Sequence, residues 1–311
     1  MGISMAYSLE NKLVIGVSSR ALFDLTLENE IFETQGVEAY CQYQIAHENE
    51  LLKPGPGFSI IKALLNLNKL PACEGRVEVI IMSRNSADTS LRVFDSIKHY
   101  GLDISRAVLS SGGSLAPYLN AFKTDLFLSA YEDDVQSAID SNIAAGIICA
   151  DGIHSYHTEE EIHQIRIAFD GDAVLFTDES ELIYQKKGLE AFEENERENA
   201  KMPLPQGPFA KFLFTISEIQ KEFSVNEVPI RTALVTARSA PAHERVVRTL
   251  RAWNVRIDEA FFLGGISKKD ILKAFGAHIF FDDQLIHTEK AAEVVPSARV
   301  PYRSIGKDSI T

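Results

Sequence analysis

Two stretches of this chain repeat each other in the same order at a nearly constant spacing, which restricts the possible architectures more than any other feature of the sequence. Placing Ser18 on Asp170, an offset of 152, aligns S-S-R-A-L-F with D-G-D-A-V-L and carries G-V-E-A-Y at Gly36 onto G-L-E-A-F at Gly188 without a gap. An offset of 153 then pairs Ser83 with Thr236, Arg92 with Arg245, Gly112 with Gly265, and Ser129-Ala130 with Asp282-Asp283. Chance gives scattered identities, not a register held this long. The chain reads as two tandem copies of one unit.

Each unit alternates apolar runs with amphipathic stretches. Leu13 to Val17, Val77 to Met82, Leu126 to Leu128 and Gly146 to Ala150 have strand character, and Thr89 to Tyr100 has helical periodicity. Alternation of this kind predicts an α/β fold with a parallel sheet covered by helices. A polar stretch at Asp151 to Glu160 marks the expected boundary between a first unit, residues 1–155, and a second, residues 156–311. Residues 178–229, rich in helix formers and broken by Pro203, Pro205 and Pro208, read as an insertion in the second unit. The first unit has a counterpart containing K-P-G-P-G from Lys53.

The polar residues at the ends of these runs carry the chemistry. Ile167 to Phe176 reads I-A-F-D-G-D-A-V-L-F, an apolar strand ending in Asp170 and Asp172. Alternate side chains of a strand lie on the same face only while the strand continues, so a turn must follow for both carboxylates to meet one ligand, and Gly171 is expected to permit it. Downstream come Thr236-Ala237-Arg238 after Ile230 to Leu234, Lys268-Lys269 opening a helical stretch, and Asp282-Asp283 closing Ile279 to Phe281.

This ordered set resembles the haloacid dehalogenase superfamily of phosphotransferases, from Arg166 to about Val300. The resemblance implies two haloacid-dehalogenase-like (Rossmannoid) units, with the insertion at 178–229 forming a helical cap over the active site. It implies that Asp170 is the nucleophile and Asp172 first the acid, then the base, in surroundings that favour its neutral form. Thr236, with backbone at Gly171, Asp172 and Ala237, would hold the phosphoryl oxygens. Lys268 falls three residues before Ile271 at a helix start, the usual phase of the superfamily lysine, and Lys269 is its rival. Arg238, on a helix expected to have Pro241 in its first turn, reads either as a phosphate clamp or as a surface salt bridge.

An ionised carboxylate about 3 Å from a phosphate dianion meets a repulsion on the order of 10 kcal/mol at an effective dielectric of about 20. One lysine does not cancel that. A Mg²⁺ at Asp170, Asp172 (through its carbonyl), Asp282 and Asp283 is therefore expected, an oxygen-only site of the kind this ion takes.

Only the second unit keeps these groups: Asp170, Asp172, Lys268, Asp282 and Asp283 are replaced in the first by Ser18, Arg20, Leu115, Ser129 and Ala130. The first unit is thus expected to be degenerate and catalytically silent. Its Ser18, Arg20, Ser83, Arg84 and Asn85 suit either an uncleaved phosphate or a scaffold with internally paired arginines.

The net charge of −13 argues against a nucleic acid polymer as partner, since such affinity comes largely from neutralising phosphates. No apolar run approaches the ~18 residues a membrane span needs, and the N-terminus shows no secretory signal pattern. Cys41, Cys73 and Cys149 are odd in number and widely spaced, which fits reduced thiols and a cytoplasmic protein. His154, His157 and His163 are irregularly spaced and read as linker residues rather than metal ligands.

The wording F-D-G-D-A-V-L-F-T-D-E-S-E, with M-S-R-N-S-A-D-T-S-L-R-V-F-D and G-G-I-S-K-K-D-I-L-K-A-F, is similar to the cytosolic 5'-nucleotidase I family over nearly the whole chain. That similarity implies Mg²⁺-dependent hydrolysis of nucleoside 5'-monophosphates such as AMP, a nucleotide effector, and a homo-oligomer. A phosphatase of another small metabolite and a nucleotide-binding sensor without turnover are the alternatives. Phe192, Phe209 and Phe212 of the insertion read as core rather than as a base-stacking platform.

Overall fold

The computed structural model describes residues 7–148, 164–225 and 227–302. Among the described residues, ten strands form one sheet. The first half supplies β1 (Leu13–Val17), β2 (Val77–Ser83), β3 (Arg106–Leu109), β4 (Leu126–Ser129) and β5 (Ala144–Ile148). The second supplies β6 (Ile165–Phe169), β7 (Ile230–Thr236), β8 (Glu259–Phe262), β9 (Ile279–Asp282) and β10 (Ser297–Arg299).

Helices of the first half are α1 (Ser19–Leu22), α2 (Thr26–Ala46), α3 (Phe58–Leu67), α4 (Leu91–His99), α5 (Ala116–Ala121) and α6 (Glu132–Asp140). Those of the second are α7 (Glu179–Glu198), α8 (Ala210–Gln220), α9 (His243–Ala252), α10 (Lys268–Phe275) and α11 (Leu285–Ala292). The protein is a mixed α/β fold with a mostly parallel central sheet. Every residue of β1, β2 and β4 is buried, which is why these strands are written as near-continuous apolar runs rather than alternating ones.

The strand order is β3-β2-β1-β4-β5-β10-β9-β6-β7-β8, so the second half, read from its outer edge, has the order of the first. Neighbours within each half are parallel. The seam is not: β10 pairs antiparallel with β5, Ala298 opposite Ile148 and Arg299 opposite Ile147. The two halves therefore point the carboxyl ends of their strands in opposite directions along one continuous sheet, and the residues at those ends form two separate groups.

Behind the second group lies an aromatic cluster. Phe169 and Phe281 are register partners on β6 and β9 and stack at 5.8 Å between ring centroids. Phe209 approaches Phe281 to 4.6 Å, and Phe212 packs on Phe169 at 6.1 Å. All four are fully buried. At ~1.5–3 kcal/mol for each such side chain, the cluster pins the strand ends from which Asp170 and Asp282 emerge.

Phe209 and Phe212 are core, as expected. The same packing divides the insertion: α8, with Leu213 and Ile216 also fully buried, belongs to the core, and only α7 stands largely outside it. Helix α7 is bent at Gly188 (φ 83°, ψ −178°), and α2 is bent at its counterpart Gly36 (φ 85°, ψ 178°), a conformation that other residues adopt only under strain. Helix α9 begins at His243, so Pro241 precedes the helix instead of lying in its first turn. The expected unit boundary at 151–160, Cys149, His154, His157 and His163 lie outside the described residues.

Candidate active site

Asp170 leaves the end of β6 with its N–H bonded to the Phe281 carbonyl at 2.8 Å. The chain then makes one wide π-type turn over Gly171–Leu175, closed by the Phe176 N–H on the Gly171 carbonyl at 2.9 Å. The left-handed residue of the turn is Ala173 (φ 60°), not Gly171. Gly171 serves a different need, because a Cβ there would stand 3.3 Å from Thr236 Oγ1. The turn thus packs directly on the end of β7.

Lys268, the first residue of α10, reaches into this corner. Its Nζ lies 2.9 Å from Asp170 Oδ1 and donates to Asp282 Oδ2 at 2.6 Å. Lys269 points elsewhere and pairs with Glu293 at the surface. Asp282 is completely buried; its Oδ1 accepts from the Gln284 N–H at 2.9 Å, and His287 Nδ1 stands 3.3 Å from its Oδ2. Asp283 accepts from the Tyr302 hydroxyl, and the Tyr302 carbonyl in turn accepts from Gln136 of α6 at 2.9 Å. The first half thereby braces a residue of the second half's site. The cleft above is lined by Asp170, Asp172, Glu181, Thr236, Ala237, Lys268, Asp283, Gln284 and His287.

Carboxylate oxygens of Asp170, Asp282 and Asp283 all lie within 4.8 Å of one another, and all three residues are buried. The electrostatic consequences differ by residue. Burial, reinforced by Asp282 and Asp283, holds the Asp170 carboxyl well above the usual range despite Lys268. Burial pushes Asp283 up to about 6, with Asp282 adding to the rise against the Tyr302 hydrogen bond. Burial also opposes ionisation of Asp282, but His287 and Lys268 outweigh it and keep that carboxyl low. Lys268 is desolvated, yet Asp170 and Asp282 raise it above an ordinary lysine and keep it charged. Three buried acids with one lysine are short of positive charge. An oxygen-only donor set of this size fits a Mg²⁺ ion, which takes few protein carboxylates and retains waters.

The other carboxylate of the D-x-D pair is committed elsewhere. Both oxygens of Asp172 accept from Arg238, from Nε at 2.8 Å and from Nη2 at 2.6 Å. Nη1 of Arg238 donates to Glu196 Oε2 at 2.5 Å, and Arg245 donates to Glu196 Oε1 at 2.9 Å. The Asp172 side chain therefore stands outside the three-carboxylate group, beside a bidentate guanidinium that opposes the neutral form instead of favouring it. Arg238 is buried and is not among the residues lining the cleft. Thr236 Oγ1 accepts from the Arg238 N–H at 3.2 Å, and Ala237 lines the cleft.

Sequence reasoning did not single out Glu196, Glu181, His287 or Tyr302. His287 carries a readable signal, because it falls in the first turn of the helix that directly follows Asp282-Asp283. Glu196 carries a weaker one: it occupies the place of Gln44 in the offset of 152, and both are buried in otherwise polar helices.

An α/β protein with a buried lysine–carboxylate centre at adjoining strand ends has a definite place among known families. A family model described as 5'-nucleotidase matches residues 5–307. Cytosolic 5'-nucleotidase 1B of Homo sapiens is 40% identical over 292 residues, a match covering 91% of this chain and 47% of that protein. The chain thus spans about half the length of this curated relative. A solved chain from a Pnkp1/Rnl/Hen1 complex aligns over 97% of this chain and 100% of its own, at 10% identity and a TM-score of 0.29, too low to bear on the fold. The chain belongs to the 5'-nucleotidase family.

Proposed function

We propose that the chain hydrolyses nucleoside 5'-monophosphates, AMP among them, to nucleoside and inorganic phosphate through a phosphoaspartate at Asp170. The observation that carries this reading is Lys268 Nζ set between Asp170 and Asp282 inside the three-carboxylate group. Asp170 attacks phosphorus; the bond from its Oδ to phosphorus forms as the bond to the ester oxygen breaks. Asp172 gives its proton to the departing oxygen and then takes one from the water that cleaves the phosphoaspartate. Because Arg238 occupies both Asp172 oxygens, that pair must open before the proton is donated. Lys268 and the Thr236 hydroxyl hold the phosphoryl oxygens.

Asp170, Asp282 and Asp283 are the residues that would hold a Mg²⁺, which supplies the positive charge the anionic substrate requires. The second half is read as the catalytic unit, with α7 as its cap, and the first as a silent copy of the same unit. The relative is named cytosolic, and no described helix is long and apolar enough to cross a membrane; we assign this chain to the cytoplasm on the first ground.

A panel of nucleoside and sugar monophosphates assayed for phosphate release with Mg²⁺ tests the reading. Nucleoside monophosphates should lead the panel, and Asp170→Asn should release no phosphate while melting cooperatively. Faster release from sugar phosphates would transfer the protein to another metabolite, and binding of AMP without release would make it a sensor.

A further inference from the structure

The first half preserves the frame of the active site with its charge reversed. The Ser18 N–H bonds the Leu128 carbonyl at 2.9 Å, as Asp170 bonds Phe281 at 2.8 Å. The Asn85 N–H bonds Ser83 Oγ at 3.2 Å, as Arg238 bonds Thr236 Oγ1 at 3.2 Å. The Tyr131 N–H bonds Ser129 Oγ at 3.2 Å, as Gln284 bonds Asp282 Oδ1 at 2.9 Å. The loop after β3 is held likewise, Ser111 N–H to the Asn85 carbonyl at 3.2 Å matching Gly264 to Arg238 at 3.4 Å. The hydrogen bonds that frame the second half's strand ends thus recur at the strand ends of the first half.

The side chains on that frame have changed sign. Arg20 stands where Asp172 stands in the second half, Arg84 replaces Ala237, and serines replace Asp170 and Asp282. Arg84 is offset by Asp134 at 2.5 Å, but no described carboxylate pairs with Arg20, whose guanidinium lies 5.4 Å from the Tyr131 ring centre. Moreover, Arg20 Nε and Asn85 Nδ2 are buried atoms with no hydrogen-bond acceptor. Their counterparts in the second half, Asp172 and Arg238, are in contact. A buried donor left unpaired costs ~1–3 kcal/mol, and two such donors at equivalent positions of the site frame call for an acceptor.

We propose that the first half binds a phosphoryl anion at Ser18, Ser19, Arg20, Ser83 and Asn85, without a metal ion and without cleaving it. A metal is unnecessary because no carboxylate occupies the positions equivalent to Asp170, Asp172, Asp282 and Asp283. Ser18 in place of Asp170, beside no lysine equivalent to Lys268, leaves no activated nucleophile. The inference stands whether or not the second half hydrolyses nucleotides.

Calorimetric titration of the full chain in EDTA, with inorganic phosphate in one arm and AMP in another, tests it. Lys268→Ala, which disables the second-half site, should still retain one phosphate site, while Arg20→Gln and Asn85→Ala should each weaken that site about tenfold or more at unchanged melting temperature. AMP heat that Arg20→Gln removes would mean an esterified phosphoryl group is accepted in the first half, and removal of phosphate heat alone would mean a site for the free ion. No binding to wild type at millimolar ligand, or binding lost in Lys268→Ala and kept in both first-half variants, would overturn the proposal.

Discussion

Glu196 of α7 and Arg238 after β7 form a buried ion pair, with Glu196 Oε2 accepting from Arg238 Nη1 at 2.5 Å. The same carboxylate holds Arg245, and the same guanidinium holds Asp172. A residue of the insertion is in this way connected through one side chain to the proposed acid. Glu196→Gln should leave two buried guanidinium groups short of charge, costing about 3–5 kcal/mol. It should also lower kcat more than it raises KM. Urea denaturation read beside phosphate-release kinetics checks both, and an unchanged midpoint would show that the pair carries no net stability.

The two neighbouring lysines should separate cleanly. Lys268→Ala removes the cation between Asp170 and Asp282 and should reduce kcat/KM by about 10²–10³ or more. Lys269→Ala breaks only a surface pair with Glu293 and should change little. Equal losses in the two variants would contradict the geometry.

Metal-free protein should become less stable as pH rises. An unfolded aspartate titrates near ~3.9, whereas burial holds Asp283 at about 6. Between those values the folded state keeps a proton the unfolded state has lost, so stability falls through the window, by on the order of 3 kcal/mol for this group. Asp170, raised by burial, adds in the same direction; Asp282, held low by His287 and Lys268, acts oppositely only in more acidic solution. Thermal melts in EDTA should show this decline, and Mg²⁺ should raise the melting temperature more at neutral pH than at pH ~5.

Tyr302→Phe removes the hydroxyl that donates to Asp283 while keeping the ring. Loss of such a partner to a metal-holding carboxylate costs ~10–100-fold in metal affinity. Activity titrated against Mg²⁺ should shift to higher concentration, with kcat at saturating metal nearly preserved.

Gly188→Ala and Gly36→Ala place a side chain at the same left-handed bend in the two halves. Each should cost about 1–3 kcal/mol of stability. Only the first should alter phosphate release, because α7, and not α2, carries Glu196. A similar kinetic effect from Gly36→Ala would mean the halves are coupled more tightly than the β5–β10 seam and the Tyr302–Gln136 contact imply.

The sequence by itself determined the buried strands and the order of the polar residues at their ends, because both are local. A strand buried on both faces has to be a continuous apolar run, and Asp170, Thr236 and Asp282 each follow one directly. Strands β3 and β8 are edge strands with no fully buried residue, so their pattern is faint. Tertiary structure alone decided the rest. The antiparallel β5–β10 seam depends on a three-residue strand whose partner lies far back in the chain, and no local pattern encodes it. Whether Asp172 faces a metal or a guanidinium, and whether Lys268 or Lys269 turns inward, depends on which groups burial forces into contact, and a buried charge settles against its counterion wherever the fold brings one.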